Sequence, residues 1–158
     1  MIISGFAGIG KSTMAKNHPD KVIDLESSNF KWAFDESVKD MDVEERKGVS
    51  NKTLHPDWPN NYIQAIKENS QKYDFVFISM DMDVRNILDS ENIRYFVAYP
   101  SLDCKDDYIA RYRARNNNEA FVKLLESNFD NWVSALMNSS GSQIRLHKGE
   151  YISDKFSL

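Results

Sequence analysis

Gly5, Gly10, Lys11 and Ser12 reproduce the pattern G-x-x-x-x-G-K-[ST] within Ser4-Gly5-Phe6-Ala7-Gly8-Ile9-Gly10-Lys11-Ser12-Thr13. A loop that wraps phosphate needs glycines, because its backbone must turn tightly and aim successive N–H groups at anionic oxygens. Ala7, Gly8 and Ile9 supply the middle of that backbone, and Thr13 follows on the helical side. In this pattern Lys11 reaches the β- and γ-phosphates, and the Ser12 hydroxyl holds Mg²⁺. A helix starting near Gly10 turns its positive end toward the same point. The chemistry expected is binding of a nucleoside triphosphate, ATP with Mg²⁺.

Two further clusters carry charge. Asp24-Leu25-Glu26-Ser27-Ser28 stands where an apolar run gives way to polar chain. In open α/β sheets ligands bind outside the carboxyl ends of strands. There Asp24 could hold Mg²⁺ through water, or take the proton of a substrate hydroxyl. Glu26 and Ser27 would face the acceptor, or the acidic pair could simply cap the next helix. Farther on, Arg111 and Arg115 are one helical turn apart within Tyr108-Ile109-Ala110-Arg111-Tyr112-Arg113-Ala114-Arg115. Like charges at that spacing repel, and a phosphate between them removes the penalty. Pairing with Asp106, Asp107 or Glu119 is the plainer reading. Asn116-Asn117-Asn118 breaks the helix and could let it move as a lid.

These residues need elements to position them. Met1-Ile2-Ile3 reads as a strand before the glycine loop, and Lys11 to about Asn17 as a helix stopped by Pro19. Lys21–Leu25 is the second strand, and Phe75-Val76-Phe77-Ile78-Ser79 the third. Its unbroken apolar run marks a central parallel strand, adjacent to the first. Asn92–Pro100 and Gln143–Leu146 complete about five strands, separated by helices. One of these helices is capped by Asn60 or Asn61 and buries Tyr62, Ile63 and Ile66. Another is capped by Asp81 and runs through Val84, Ile87 and Leu88. A third begins at Asn118 or Glu119 with a stripe of Phe121, Leu124, Leu125, Asn128, Phe129, Trp132, Val133 and Leu136. Helical segments between strands, without tight hairpins, predict an α/β fold with a mostly parallel sheet flanked by helices.

Residues 29–60 form the least regular stretch, expected to be an acceptor-binding insert. Trp32 and Trp58 could stack a planar base there, or be core. Arg85 is a candidate for an acceptor phosphate, and His55 is structural. Gly149, in the turn after the last strand, would let backbone approach the nucleotide base.

With 158 residues and one cysteine, Cys104, the prior is a single domain without an intrachain disulfide, in keeping with a reducing cytoplasm. A net charge of −4 gives no overall basic field toward nucleic acid or membrane. No apolar run reaches the roughly 18 residues needed to span a bilayer, and with Met1 so near the first strand no signal peptide is expected before it.

Together the glycine loop, the acidic turn after the second strand, the insert and the arginine helix at about 103–118 resemble the small P-loop kinases of nucleosides and nucleotides. More narrowly they resemble phage-type and bacterial adenylate-kinase-like proteins. The resemblance implies a three-layer P-loop fold. It also implies that Gly5, Gly8, Gly10, Lys11, Ser12 and Thr13 hold ATP–Mg²⁺, that Asp24 and Glu26 face acceptor or metal, and that Arg111 and Arg115 clamp the transferring phosphoryl group. The chain differs from larger relatives in its clipped first helix, its lack of a long lid, and Ser79 where a strand-end aspartate is usual. A kinase acting on a nucleoside monophosphate is expected. A hydroxyl acceptor, including a hydroxymethylated base in DNA, or a nucleotide-binding switch or ATPase, are the alternatives.

Overall fold

Ile2–Gly5 forms strand β1, and all of its residues are buried, as a strand covered on both faces requires. The computed structural model describes residues 1–38, 40–41 and 50–158. After β1 come helix α1 (Lys11–Asn17), β2 (Val22–Asp24), the short helix α2 (Ser28–Lys31), β3 (Trp32–Phe34) and β4 (Lys52–Leu54). The chain continues through α3 (Asn60–Ser70), β5 (Phe75–Ile78), α4 (Met82–Ser90), β6 (Phe96–Pro100), α5 (Lys105–Ala114), α6 (Glu119–Met137) and β7 (Ser142–Leu146). The architecture is α/β, with a five-stranded sheet in the order β2-β5-β1-β6-β7. Every pairing in it is parallel, with Ile3 opposite Phe77 on one side and Phe96 on the other. The carboxyl ends of β2, β5 and β1 therefore open onto one rim, and the glycine loop and Asp24 leave from that rim.

The apolar run of β5 lies beside β1, as its lack of alternation implied. Two features depart from the sequence-based reading. The insert holds a two-stranded antiparallel sheet, β3 with β4, pairing Trp32 with Leu54; Phe30, Trp32 and Phe34 recur at every second position there, but strands of three residues are too short for that pattern to mark them. Its charged stretch, 35–47, lies largely outside the described residues. The second departure is α6, whose buried residues include Val122, absent from the expected stripe, with Leu125, Phe129, Val133 and Leu136, while Leu124 faces outward and Phe121 packs on Tyr112 at the edge of the cleft. The expected stripe was too wide, because apolar residues occupy more than one face of this helix.

Caps follow side-chain reach. Asp81 accepts a hydrogen bond from the amide of Asp83 at the start of α4, and Asn118 accepts one from Phe121 at the start of α6. The N-cap position of α3 is Pro59 rather than Asn60 or Asn61, but the Asn61 side-chain oxygen accepts from the first-turn amide of Tyr62 at 2.8 Å while its amide donates to the Phe30 carbonyl, tying the insert to that helix. Phe6 meets Phe129 and Tyr108 edge-on at 5.3 and 5.9 Å, so α5 and α6 close over the first turn of the glycine loop. Burying each such ring contributes about 1.5–3 kcal/mol. Among the described residues no helix is long and apolar enough to cross a membrane.

Candidate functional site

Backbone accounting explains the shape of the loop between β1 and α1. The Lys11 ammonium donates to the Gly5 and Phe6 carbonyls at 2.9 and 3.0 Å. The Tyr112 hydroxyl donates to the Ala7 carbonyl at 2.8 Å, and the Arg111 guanidinium makes a longer 3.4 Å contact with that of Gly8. The Ile9 carbonyl accepts from the Ile152 amide at 2.9 Å. The carbonyls of Ala7, Gly8 and Ile9 are thus held by α5 and the turn after β7, while the Phe6 amide stays with the sheet and donates to the Ala98 carbonyl at 2.8 Å. Across a trans peptide the N–H points away from its carbonyl, so the amides of Gly8, Ile9 and Gly10 turn away from those partners. Gly8 and Gly10 make this possible with φ of 83° and 97°. Gly10 begins α1, which places the orphan amides of the first turn and the exposed Ser12 and Thr13 beside the loop.

The loop faces a cleft of about 1190 Å³ that is also lined by Asp24, Glu26, Ser27, Ser79 and Arg115. Its floor is tied together by one tyrosine. Tyr62 donates to the Leu25 carbonyl at 2.6 Å and accepts from the Ser79 amide at 3.1 Å, joining the ends of β2 and β5. Burial holds the Tyr62 phenol far above its usual range, so it remains a donor. Ser4 bonds the Ser79 carbonyl at 2.8 Å, while the Ser79 hydroxyl is buried without a partner. Lys11 lies within electrostatic reach of the acidic turn. Burial is the main influence on it and lowers its pKa; Asp24 and Glu26 oppose that effect, and Arg115 adds to it. This combination suits an anion carried with a hard cation: a buried ammonium at the glycine loop, with hydroxyl and carboxylate oxygens lining the same cleft.

The two arginines part company. Arg115 lines the cleft at the carboxyl end of α5. Arg111 is only 11% exposed; it pairs with Asp107 at 2.9 Å and donates to the Glu150 carbonyl at 3.2 Å. Its guanidinium lies over the rings of Tyr108 and Tyr151, at 4.6 and 4.1 Å. Both arginines border a second cavity of about 360 Å³, with Thr13 and Tyr151. The turn after β7 does reach the loop, but it does so through Tyr151 on Gly10 and Ile152 on Ile9, and a side chain at Gly149 would meet nothing within 4 Å.

Arg85 is 4% exposed on α4, bonded to the Met80 carbonyl, and does not border the cleft. Trp32 is also outside it, on β3, with the Lys52 and Lys31 ammonium groups 4.9 and 5.8 Å from its ring. Sequence reasoning missed Tyr62, Tyr112, Tyr151 and Ser79. The first two sit at core spacing in their helices, and nothing in that spacing shows that a hydroxyl at the end of a buried ring reaches a loop carbonyl. No protein-family model matches the chain, and no curated protein matches it.

Proposed function

We propose that the chain is an ATP-dependent phosphotransferase of the P-loop type that moves the γ-phosphoryl group of ATP–Mg²⁺ to a small acceptor, a nucleoside monophosphate. The observation that carries this reading is the meeting of three groups in one cleft: the inward-facing loop of Gly5–Ser12, the Asp24–Ser27 turn, and Arg115. Donor phosphates fit the amides of Ala7, Gly8, Ile9 and Gly10, with Lys11 along the β- and γ-oxygens. Ser12 and Asp24 are the residues that would hold Mg²⁺, which when bound neutralises charge on the phosphate chain. Arg115 faces that chain from α5, while Glu26 and Ser27 orient the acceptor. In-line attack forms a bond from an acceptor oxygen to the γ-phosphorus as the bridging bond to ADP breaks. Positioning and charge neutralisation are what such chemistry asks of a protein.

A hydroxyl acceptor within a nucleic-acid strand is the second reading, and one observation favours it. Lys31, Trp32, Lys52 and Trp58 interleave beside the acidic turn, with Lys31 5.2 Å from the Trp58 ring and paired with Asp81 at 3.3 Å. Aromatic faces among cations suit stacked bases on a phosphate backbone. Asp24 would then take the hydroxyl proton.

Incubation with ATP–Mg²⁺ and a panel of nucleosides, monophosphates and hydroxymethylated DNA, following ADP, separates the readings. The expected outcome is ADP formation that depends on a monophosphate and falls by roughly three or more powers of ten in Lys11→Ala. Hydrolysis indifferent to every acceptor would point to a switch or ATPase.

A further inference from the structure

We infer that Tyr112, on α5, is a positioning residue for the donor loop. Its hydroxyl pins the Ala7 carbonyl outward, so that the Gly8 amide is aimed into the cleft before any ligand arrives. The inference rests on the reading of that loop as a phosphate site.

Several contacts carry it. The hydroxyl-to-carbonyl distance is 2.8 Å. The same ring lies so close that a Cβ on Gly8 would come within 2.7 Å of the Tyr112 Cε1. Ring and hydroxyl therefore fix two successive peptides, one by steric contact at a left-handed residue and one by a hydrogen bond. A planar peptide links the Ala7 carbonyl rigidly to the Gly8 N–H, so holding one end sets the direction of the other. Burial raises the phenol far above its ordinary pKa, which keeps the donor protonated throughout the working pH range. The ring itself is held by Tyr108 and Phe121, at 6.2 and 6.1 Å edge-on, so the hydroxyl is presented by packed side chains rather than by a free rotor.

The remaining loop carbonyls have other keepers. Lys11 holds those of Gly5 and Phe6, Arg111 makes the longer 3.4 Å contact with that of Gly8, and Ile152 holds that of Ile9. Lys11 must leave its carbonyls to meet phosphate, whereas Tyr112 need not move. Tyr112 thus maintains the direction of the Ala7–Gly8 peptide while Lys11 is engaged. Preorganised amides bind more tightly because less ordering is required on association.

The test is Tyr112→Phe in the full chain, which keeps the ring over Gly8 and removes only the hydroxyl. Two readouts are taken: the amide signals of Ala7–Gly10 in a ¹⁵N–¹H spectrum without nucleotide, and titration with a fluorescent ATP analogue plus Mg²⁺. The variant is expected to shift and broaden the Gly8 signal, leave signals of β5 and β6 in place, and weaken the analogue about 5–10-fold, the scale of one hydrogen bond. Turnover at saturating nucleotide should change less than KM, which a merely structural loss would not produce. Unchanged loop signals with unchanged affinity overturn the inference. Loop signals that respond while even the wild-type chain ignores the analogue would remove the nucleotide reading and leave the positioning role intact.

Discussion

Arg111 and Arg115 show how one spacing can serve two ends. Both project from the same side of α5, yet Arg111 is engaged by Asp107, Glu150 and two tyrosine rings, whereas Arg115 borders the cleft. A residue-scale contrast follows. Arg115→Ala is expected to lower turnover by about 10²–10³-fold, the cost typical of removing one donor to developing charge, with melting temperature unchanged. Arg111→Ala is expected to cost about 1–3 kcal/mol of stability, read by denaturant unfolding, because it leaves Asp107 without its ion-pair partner and the Glu150 carbonyl without its donor. Equal effects on turnover and no loss of stability would return Arg111 to the role of a phosphate clamp. The tight turn of the glycine loop was legible from sequence because Gly8 and Gly10 answer a backbone requirement, which their positive φ displays. The fate of Arg111 was not, since both its carbonyl partner on Glu150 and the Tyr151 ring come from a turn 39 and 40 residues away in the chain.

At the scale of elements, periodicity was informative where burial is one-sided and misleading where it is not. The run Phe75–Ile78 announced a central strand, and β5 does lie between β2 and β1. Tyr108, Ile109 and Tyr112 were legible as the inner face of α5 and are buried there. In α6, by contrast, Leu124 is 52% exposed although it falls within the expected stripe. Phe129→Ala is therefore expected to cost about 3–5 kcal/mol, because it leaves a cavity against Phe6 and Tyr108. Leu124→Ala should stay within about 0.5 kcal/mol, as surface substitutions do. Urea titrations of the two variants check the assignment of faces, and comparable losses would place Leu124 against an unrecognised partner. The β3–β4 ribbon escaped sequence reading because its pairing joins segments separated by a stretch of charge with no turn signal.

For the whole molecule, the sheet order explains why the charged clusters meet at all. Placing β1 between β5 and β6, with β2 beyond β5, sets the glycine loop and the Asp24–Ser27 turn on one rim with Ser79 between them. Helix α5 then comes over the rim from the opposite side, bringing Tyr112 to Ala7 and Arg115 to the cleft. Parallel order, strand count and helical flanks were within reach of sequence, whereas the docking of α5 onto the loop depends on packing that no local pattern records. The proposed phosphoryl transfer requires donor and acceptor to meet in one cleft. The measurement that bears most directly on this is a crystal structure with a bisubstrate analogue, two nucleosides joined by a chain of phosphates, grown with Mg²⁺. The expected result has the phosphate chain against the amides of Ala7–Gly10 and Lys11, with the second nucleoside beside Asp24–Ser27. A phosphate chain bound away from the glycine loop, or a second nucleoside on the far face of the sheet, would contradict it.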